Sequence, residues 1–245
     1  MRVAALYDIH GNLPALDAVL DEVEQAGVDA IVVGGDLAWS PLPSATVARL
    51  LALGDRCRYL VGNADRAAVT DFDRDHAGHG AHDATPLERA QRDFLAGLPP
   101  RFVLDVDGLG PTLFCHGSPH SDTQRMTTAT PDERLRRILA GVEPPVVVCG
   151  HTHRQFDRRL DAYRVVNAGS VGLPFEGRRG AFWALLGPEV EMRRTDYDLN
   201  EAFVWLRAAG MPRGVSRRLK VSMLDPADPD EVAEYFEGVA LEEES

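Results

Sequence analysis

The 245-residue sequence predicts an α/β chain with two β-sheets stacked face to face and helices on the outside. Two patterns carry this expectation. In the first third, short apolar strands alternate with helices, and such a β-α-β-α-β series makes a sheet that is at least partly parallel. Beyond residue 100, short strands follow one another through turn-rich connectors with few helices, which implies hairpins and a second, more antiparallel sheet. The chain has no internal repeat and no low-complexity linker, so residues 1–245 read as one domain with an acidic tail from about residue 225 to 245.

The elements follow in order. Val3–Tyr7 is an apolar strand ending at Asp8-Ile9-His10-Gly11-Asn12. Leu13 to Ala26 reads as a helix: Asn12 caps it, Pro14 sits in its first turn, Gly27 stops it, and Leu16, Val19, Leu20 and Val23 form one apolar face. Ala30–Val33 is a second buried strand, ending at Gly34-Gly35-Asp36. Ser44 to Leu53 is the second helix, and Tyr59–Val61 the third strand, ending at Gly62-Asn63-Ala64-Asp65. The polar stretch Asp71–Thr85, with His76, His79 and His82 interleaved by Gly78 and Gly80, reads as a solvated loop. Thr85-Pro86-Leu87-Glu88 has the form of a capping box for a helix reaching Leu95 or Ala96. Strands are expected at Arg101–Val106, Thr112–Cys115, Val146–Cys149, Tyr163–Val166, Ala181–Leu186 and Val190–Thr195. A helix opened by the box Thr130-Pro131-Asp132-Glu133 interrupts them. A late helix runs from Asp198 to Ala209.

Composition narrows the function. The hydrophobic fraction of 44% is that of a soluble globular chain, and no stretch approaches the ~18–20 apolar residues of a membrane span. The start lacks the pattern of a signal peptide, and the three cysteines Cys57, Cys115 and Cys149 lie in apolar strand-like stretches, so a reducing cytoplasm is the expected location. Beside the last two cysteines the choice is between buried packing and redox or thiolate chemistry. The net charge is -12, and nine of the acidic residues fall between Asp225 and Ser245, where there is no Lys or Arg. That tail is either an acidic interaction segment or a solvated terminal helix. Non-specific binding to nucleic acid is not expected of such a chain, and an anionic substrate needs local positive charge.

The chemistry-bearing residues share one position: each follows an apolar run. Asp8 and His10 follow the first strand, Asp36 the second, Asn63 the third, His116 the run Leu113-Phe114-Cys115, and His151 and His153 the run Val146–Cys149 through Gly150. Open α/β sheets place ligands at the C-terminal ends of their strands. A lone His-x-His is as consistent with loop histidines bonded to backbone as with a metal site. Seven oxygen and imidazole donors at successive strand ends exceed the needs of one ion and fit two bridged by a carboxylate, with Mn²⁺, Fe²⁺ or Zn²⁺ suited to the mixture.

Asp8-Ile9-His10, Gly35-Asp36, Gly62-Asn63-Ala64-Asp65, His116 and Gly150-His151-Thr152-His153 together resemble the calcineurin-like metallophosphoesterase superfamily. Asp8-Ile9-His10-Gly11-Asn12-Leu13-Pro14-Ala15-Leu16, His116-Gly117-Ser118-Pro119 and Val166-Asn167-Ala168-Gly169-Ser170-Val171-Gly172 are similar to its bacterial branch related to diadenosine tetraphosphatases and phosphoprotein phosphatases. The resemblance covers roughly residues 1–210. It implies a four-layer αββα sandwich with two mixed sheets flanked by helices. It also implies two divalent ions (Mn, Fe, Zn or Ni), one held by Asp8, His10, Asp36 and His153 and the other by Asp36, Asn63, His116 and His151, with Asp36 bridging. The implied activity is hydrolysis of small phosphoesters or nucleotides by a metal-bridging hydroxide, with the Asn63 amide also donating to a phosphate oxygen.

The sequence departs from the pattern where the family usually has His between the Asn and the acid of its third block. Ala64 stands there. The family assigns that His to leaving-group protonation or transition-state stabilisation, and a positioned general acid is typically worth ~10²–10⁴ in rate. Either the chain uses leaving groups that need little protonation, or His76, His79, His82 or His120 reaches the site from a loop. A metal-binding sensor or scaffold with weak catalysis is the alternative function. Asp65 is expected to cap the following turn or pair with Arg66, and Arg66 to approach a substrate phosphate or form a surface ion pair. The arginines that clamp phosphate in the eukaryotic-type Ser/Thr phosphatases are absent, since Leu37-Ala38-Trp39-Ser40 and Val61 occupy their places. A protein phosphatase is therefore not expected.

Overall fold

The side chains of the first strand, β1 (Val3–Leu6), divide between two cores by the period of two that a pleated strand imposes. Ala4 and Leu6 pack with the apolar face of α1 (Leu13–Ala26), whereas Val3 and Ala5 face the other way, toward a second sheet. In this computed structural model, which describes residues 1–38, 42–76, 87–208 and 224–243, the chain continues through β2 (Ala30–Val33), α2 (Pro43–Leu51), β3 (Cys57–Tyr59), α3 (Asn63–His76) and α4 (Arg89–Ala96). The second half adds β4 (Arg101–Val106), β5 (Gly110–Cys115), α5 (Asp132–Leu139), β6 (Val146–Cys149), β7 (Phe156–Leu160) and β8 (Tyr163–Asn167). It closes with β9 (Ala181–Leu186), β10 (Val190–Thr195), α6 (Leu199–Ala208) and α7 (Pro229–Glu243).

Two five-stranded mixed sheets result, in the orders β10-β9-β1-β2-β3 and β4-β5-β6-β8-β7. β1, β2 and β3 are parallel, with Val3 opposite Ala30 and Leu6 opposite Val33; β9 returns antiparallel to β1. In the second sheet β5, β6 and β8 are parallel, because α5 carries the chain back between β5 and β6, and β4 and β7 flank them antiparallel. Val3, Ala5, Tyr7, Val32, Phe114, Val148 and Val166 fill the space between the sheets. Leu16, Val19 and Leu50 cover the outer face of the first sheet, and Leu135, Ile138 and Leu139 that of the second. The layering is helix, sheet, sheet, helix, as expected. None of the described helices is long and apolar enough to cross a membrane.

Several local readings are corrected. The helix α3 takes in Asp71–His76, expected as loop, because buried Phe72 falls on one face with Ala68 and Val69 and packs into the first core. The side chain of His76, all of His79 and His82, and the Thr85-Pro86 start of the expected capping box lie outside the described residues. The box observed at α4 pairs Glu88 with Gln91. β7 is not among the expected strands, since Phe156-Asp157-Arg158-Arg159-Leu160 is highly charged; it is an edge strand, where charge protects an unpaired edge. The box expected at Thr130–Glu133 does not form: the Thr130 hydroxyl instead donates to Glu237 Oε2 at 2.7 Å.

That contact also changes the meaning of the acidic tail. α7 is not simply solvated: Ala233, Glu237 and Ala240 are buried, and Glu237 meets Arg134 Nη1 at 3.2 Å with both side chains almost fully enclosed. Removing one partner of a buried ion pair leaves the other charge uncompensated. Glu237→Ala should therefore destabilise the protein by about 3 kcal/mol in urea unfolding, with a smaller loss for Glu237→Gln; an unchanged midpoint for Glu237→Ala would contradict the pairing.

Candidate metal centre

Every candidate ligand predicted from sequence lies at a strand's C-terminal end, and the stacking of the two sheets brings these ends to one place. β1 delivers Asp8 and His10, β2 delivers Asp36, and the turn after β3 delivers Asn63 at the start of α3. From the second sheet, β5 delivers His116, and β6 delivers His151 and His153. Five of the seven have left-handed backbones: φ is 53° at Asp8, 49° at His10, 54° at Asp36, 66° at His151 and 58° at His153. Asp and His tolerate this region better than most residues, but it is still sparsely populated and clusters at functional sites. Long-range bonds hold these turns. His10 N donates to Asp36 O at 2.9 Å, Ser170 Oγ to Asp8 O at 2.7 Å, and Asn167 Nδ2 to Gly150 O at 2.7 Å. The Asn167–Ser170 stretch thus locks both the β1 and β6 turns.

The polar atoms converge closely. Asp8 Oδ1 is buried, accepts no hydrogen bond, and has the Nε2 atoms of His153, His10 and His116 at 3.2, 3.7 and 3.8 Å. Asp36 turns Oδ1 toward His116 Nε2 at 3.4 Å and Oδ2 toward His10 Nε2 at 3.7 Å. His10 and His153 bring their Nε2 atoms to 3.0 Å, and Asn63 Oδ1 lies 3.2 Å from His116 Nε2. Two groups, Asp8/His10/His153 and Asp8/Asp36/His116, each gather ligand atoms within 4.8 Å of one another. Asn63 and His151 border the second group through His116. The rings are oriented from behind: His116 Nδ1 bonds Gly34 O at 2.9 Å, His153 Nδ1 bonds Leu173 O at 2.7 Å, and His151 Nε2 bonds Thr123 O at 3.1 Å. With those nitrogens donating, His116 and His153 offer Nε2 and His151 offers Nδ1 as acceptor to a cation. Carboxylates and imidazoles with outer nitrogens tied to carbonyls fit a divalent ion, and the unsatisfied Asp8 oxygen marks where one belongs. Glycine makes the convergence possible, since a Cβ at Gly150 would stand 2.5 Å from Asp8 Oδ2.

Without a cation, protons balance the charge. Burial would raise the Asp36 and Asp8 carboxyls, but the neighbouring imidazoles outweigh it, His116 at Asp36 and His153 with His116 at Asp8, and both lie below the usual range. Burial would lower His116, but Asp36 and Asp8 outweigh it and push its imidazole up to about 10. His153 is raised in the same way, mainly by Asp8 against burial. His10 and His151 go the other way, both to about 4, through burial and the charges of His153 and His116 respectively.

Asp65 is neither a cap nor a partner of Arg66. It is fully buried and accepts from the N–H groups of Asp36 and Leu37 at 2.8 Å, Gly62 at 3.0 Å and Ala38 at 3.1 Å, tying the β2 turn to the β3 turn. Ala64 is buried beside it, and its N–H donates to Asp36 Oδ1 at 2.8 Å. Arg66 instead forms a two-pronged pair with Asp122, at 2.5 and 2.8 Å. His120, a candidate substitute for the missing histidine, is occupied elsewhere: its Nε2 donates to Ile138 O at 2.9 Å. Cys115 and Cys149 are buried and unbridged, and burial raises both thiols, which fits packing rather than thiolate chemistry. Phe175 was missed by the sequence reading. It stacks on His153 with ring centres 5.0 Å apart and meets Phe236 of α7 at 6.0 Å, so the C-terminal helix backs one wall of the site.

Two stacked mixed sheets with buried carboxylates and imidazoles gathered at their strand ends define a metal-dependent hydrolase. The chain belongs to the calcineurin-like phosphoesterase superfamily, whose domain model matches residues 1–186, and it is a phosphoester hydrolase. Among its relatives, an uncharacterized protein of Methanocaldococcus jannaschii is 24% identical over 89% of this chain and 96% of its own. The crystal structure of a metallophosphoesterase from Sphaerobacter thermophilus superimposes with a TM-score of 0.71 at 25% identity, covering 91% of this chain and 99% of that one. A hypothetical protein from Pyrococcus horikoshii shares the fold with the same TM-score at 20% identity, over 92% and 99% of the two chains.

The protonation pattern predicts how metal binds. His116 must lose a proton to ligate, so Mn²⁺ loading near neutral pH should release at least one proton and tighten as pH rises. Calorimetry in two buffers of different ionisation enthalpy measures this, and no proton release would contradict it. In the metal-free protein, a raised imidazole stabilises the fold below the ordinary value of 6.5. That contribution is lost as pH climbs toward about 10, so thermal stability should fall over that range.

Proposed function

We propose that this phosphoesterase is dinuclear and acts on small phosphoesters, nucleotides among them. One ion is held by Asp8, His10, Asp36 and His153, the other by Asp36, Asn63, His116 and His151. The observation that carries this reading is Asp36: fully enclosed, it directs one oxygen toward His116 and the other toward His10, the disposition a bridging carboxylate needs. The donor mixture suits Mn, Fe, Zn or Ni. Bound there, the two ions supply Lewis-acid neutralisation of phosphate oxygens and activation of a water nucleophile. The chain's own groups do the rest. The N–H groups of Ala64 and, through Asp65, the β2 turn hold Asp36 in place. Asn63, whose oxygen faces His116, keeps its amide N–H₂ to donate to a phosphoryl oxygen.

No described histidine substitutes for the family's leaving-group acid: His120 is tied to Ile138 O, and position 64 is a buried alanine. The proposed substrates accordingly carry leaving groups of low basicity, such as phenolates or phosphates. A sensor or scaffold role, favoured only by Ala64, explains less, because it gives no use to a full set of seven donors. A single domain working in the cytoplasm fits the reduced, buried cysteines.

With Mn²⁺ present, the protein should hydrolyse an aryl phosphodiester or an aryl phosphomonoester, and Asp36→Asn should reduce that to background. Absence of turnover with both metal positions filled would refute the enzyme reading, and full activity in Asp36→Asn the bridging role. Rates should also depend steeply on the leaving group, with aryl over alkyl esters by about 10² or more; a flat dependence would show that an acid is supplied after all.

A further inference from the structure

Beside the metal centre lies a cavity of about 480 Å³, lined by Val61, Arg66, Arg101, Ser118, His120 and Asp122 among others. None of the seven candidate ligands lines it, but its lining residues neighbour them along the chain. Val61 precedes Gly62 and Asn63, Arg66 follows Asn63 within the first turn of α3, and Ser118 stands two residues after His116. Arg101 begins β4 directly opposite Cys115, the residue before His116. The phosphoesterase reading gives this cavity no role. In a protein of net charge -12 it nevertheless places two guanidinium groups against one carboxylate.

The two arginines differ in how they are held. Arg101 donates Nη1 to the Pro119 carbonyl and has no carboxylate partner among the described residues. Its remaining guanidinium donors are uncommitted to charge. Arg66 is paired with Asp122, but its side chain is 56% exposed, and exposed ion pairs are weak enough to be exchanged. A phosphate group offers a guanidinium the same fork of oxygens as a carboxylate with more charge, so it competes well for that position. Ser118 and Ser121 line the same space, although Ser118 Oγ is engaged within its own loop, donating to Gln124 and accepting from His120 N and Ser121 N.

We infer that this cavity is a subsite for a second phosphate group on the substrate, held by Arg101 and by Arg66 after it exchanges Asp122. Resting on the phosphoesterase reading above, it narrows the substrate to phosphoesters or phosphoanhydrides that carry a further phosphate beyond the one attacked. Asp122 then serves as a stand-in anion that keeps Arg66 in position when no such group is present. The exchange also touches the metal centre, because the residue after Asp122 supplies the Thr123 carbonyl that orients His151.

The test compares thymidine 5′-(p-nitrophenyl phosphate) with and without a 3′-phosphate on the Mn²⁺-loaded protein. The ratio of the two kcat/KM values should favour the 3′-phosphorylated compound and fall about tenfold or more in Arg101→Ala, with a smaller fall in Arg66→Lys. Using the ratio cancels any general loss from disturbed metal ligation. A ratio near one in the wild type, or one that neither variant changes, would overturn the subsite. Activation of the unphosphorylated compound by added inorganic phosphate would overturn a substrate-borne group and identify a free anion as the occupant. A second readout does not depend on turnover: inorganic phosphate is titrated into the metal-free protein while the arginine Nε–H resonances are followed by NMR. Joint saturation of Arg66 and Arg101 supports the site, and no movement of either overturns it. If the wild type hydrolyses neither compound, the phosphoesterase reading fails, and the titration alone decides the subsite.

Discussion

Two carboxylates shut away from water set the terms for the rest of this molecule. Asp8 is fully buried and Asp36 is 2% exposed. An isolated ionised carboxylate in such a place is prohibitively unfavourable, so positive charge has to be supplied locally. His116, pushed up to about 10 by these carboxylates, supplies it while no cation is bound, and both His116 and His153 are oriented by a backbone carbonyl on the far nitrogen. The same arrangement, with the protons removed, presents the carboxylate and imidazole donors that a divalent ion takes.

Holding two acids and three imidazoles with neighbouring polar atoms 3–4 Å apart requires a backbone that will not relax, and the fold provides it from both sheets. Left-handed turns at Asp8, His10, Asp36, His151 and His153 are unfavourable individually. They persist because each is bound to a neighbouring turn: Asp65 receives four N–H groups from the β2 and β3 ends, and Asn167 and Ser170 reach the β6 and β1 turns. The strain therefore sits at the ligands and the compensation beside them. Farther out, α7 joins the scaffold through the Arg134–Glu237 pair and the Phe236–Phe175 contact, so a segment beyond the family-matched region supports the wall against which His153 is stacked.

Much of this architecture was legible in the sequence, for a physical reason in each case. The run Val146–Cys149 lacks polar alternation because it is buried on both faces, and Leu16, Val19, Leu20 and Val23 recur at helical spacing because one side of α1 meets the first sheet. The readings failed where a distant partner overrode the local signal. Asp71–His76 looked like loop because the stretch is polar and Gly78 and Gly80 follow it, yet Phe72 anchors it as helix in the first core. Thr130 looked like a helix cap, but its Oγ1 accepts from the Thr127 N–H rather than from α5, and its hydroxyl donates to Glu237.

From sequence alone came the seven candidate donors and their common place at strand ends, since strand periodicity and a glycine turn are local properties written in consecutive residues. Tertiary structure decided what those donors do to one another. Which histidines carry protons, that Asp65 braces Asp36, and that Arg66 and Arg101 face one cavity all depend on contacts between residues tens of positions apart. No local pattern encodes such contacts; they arise only when the two sheets stack and the separate strand ends meet.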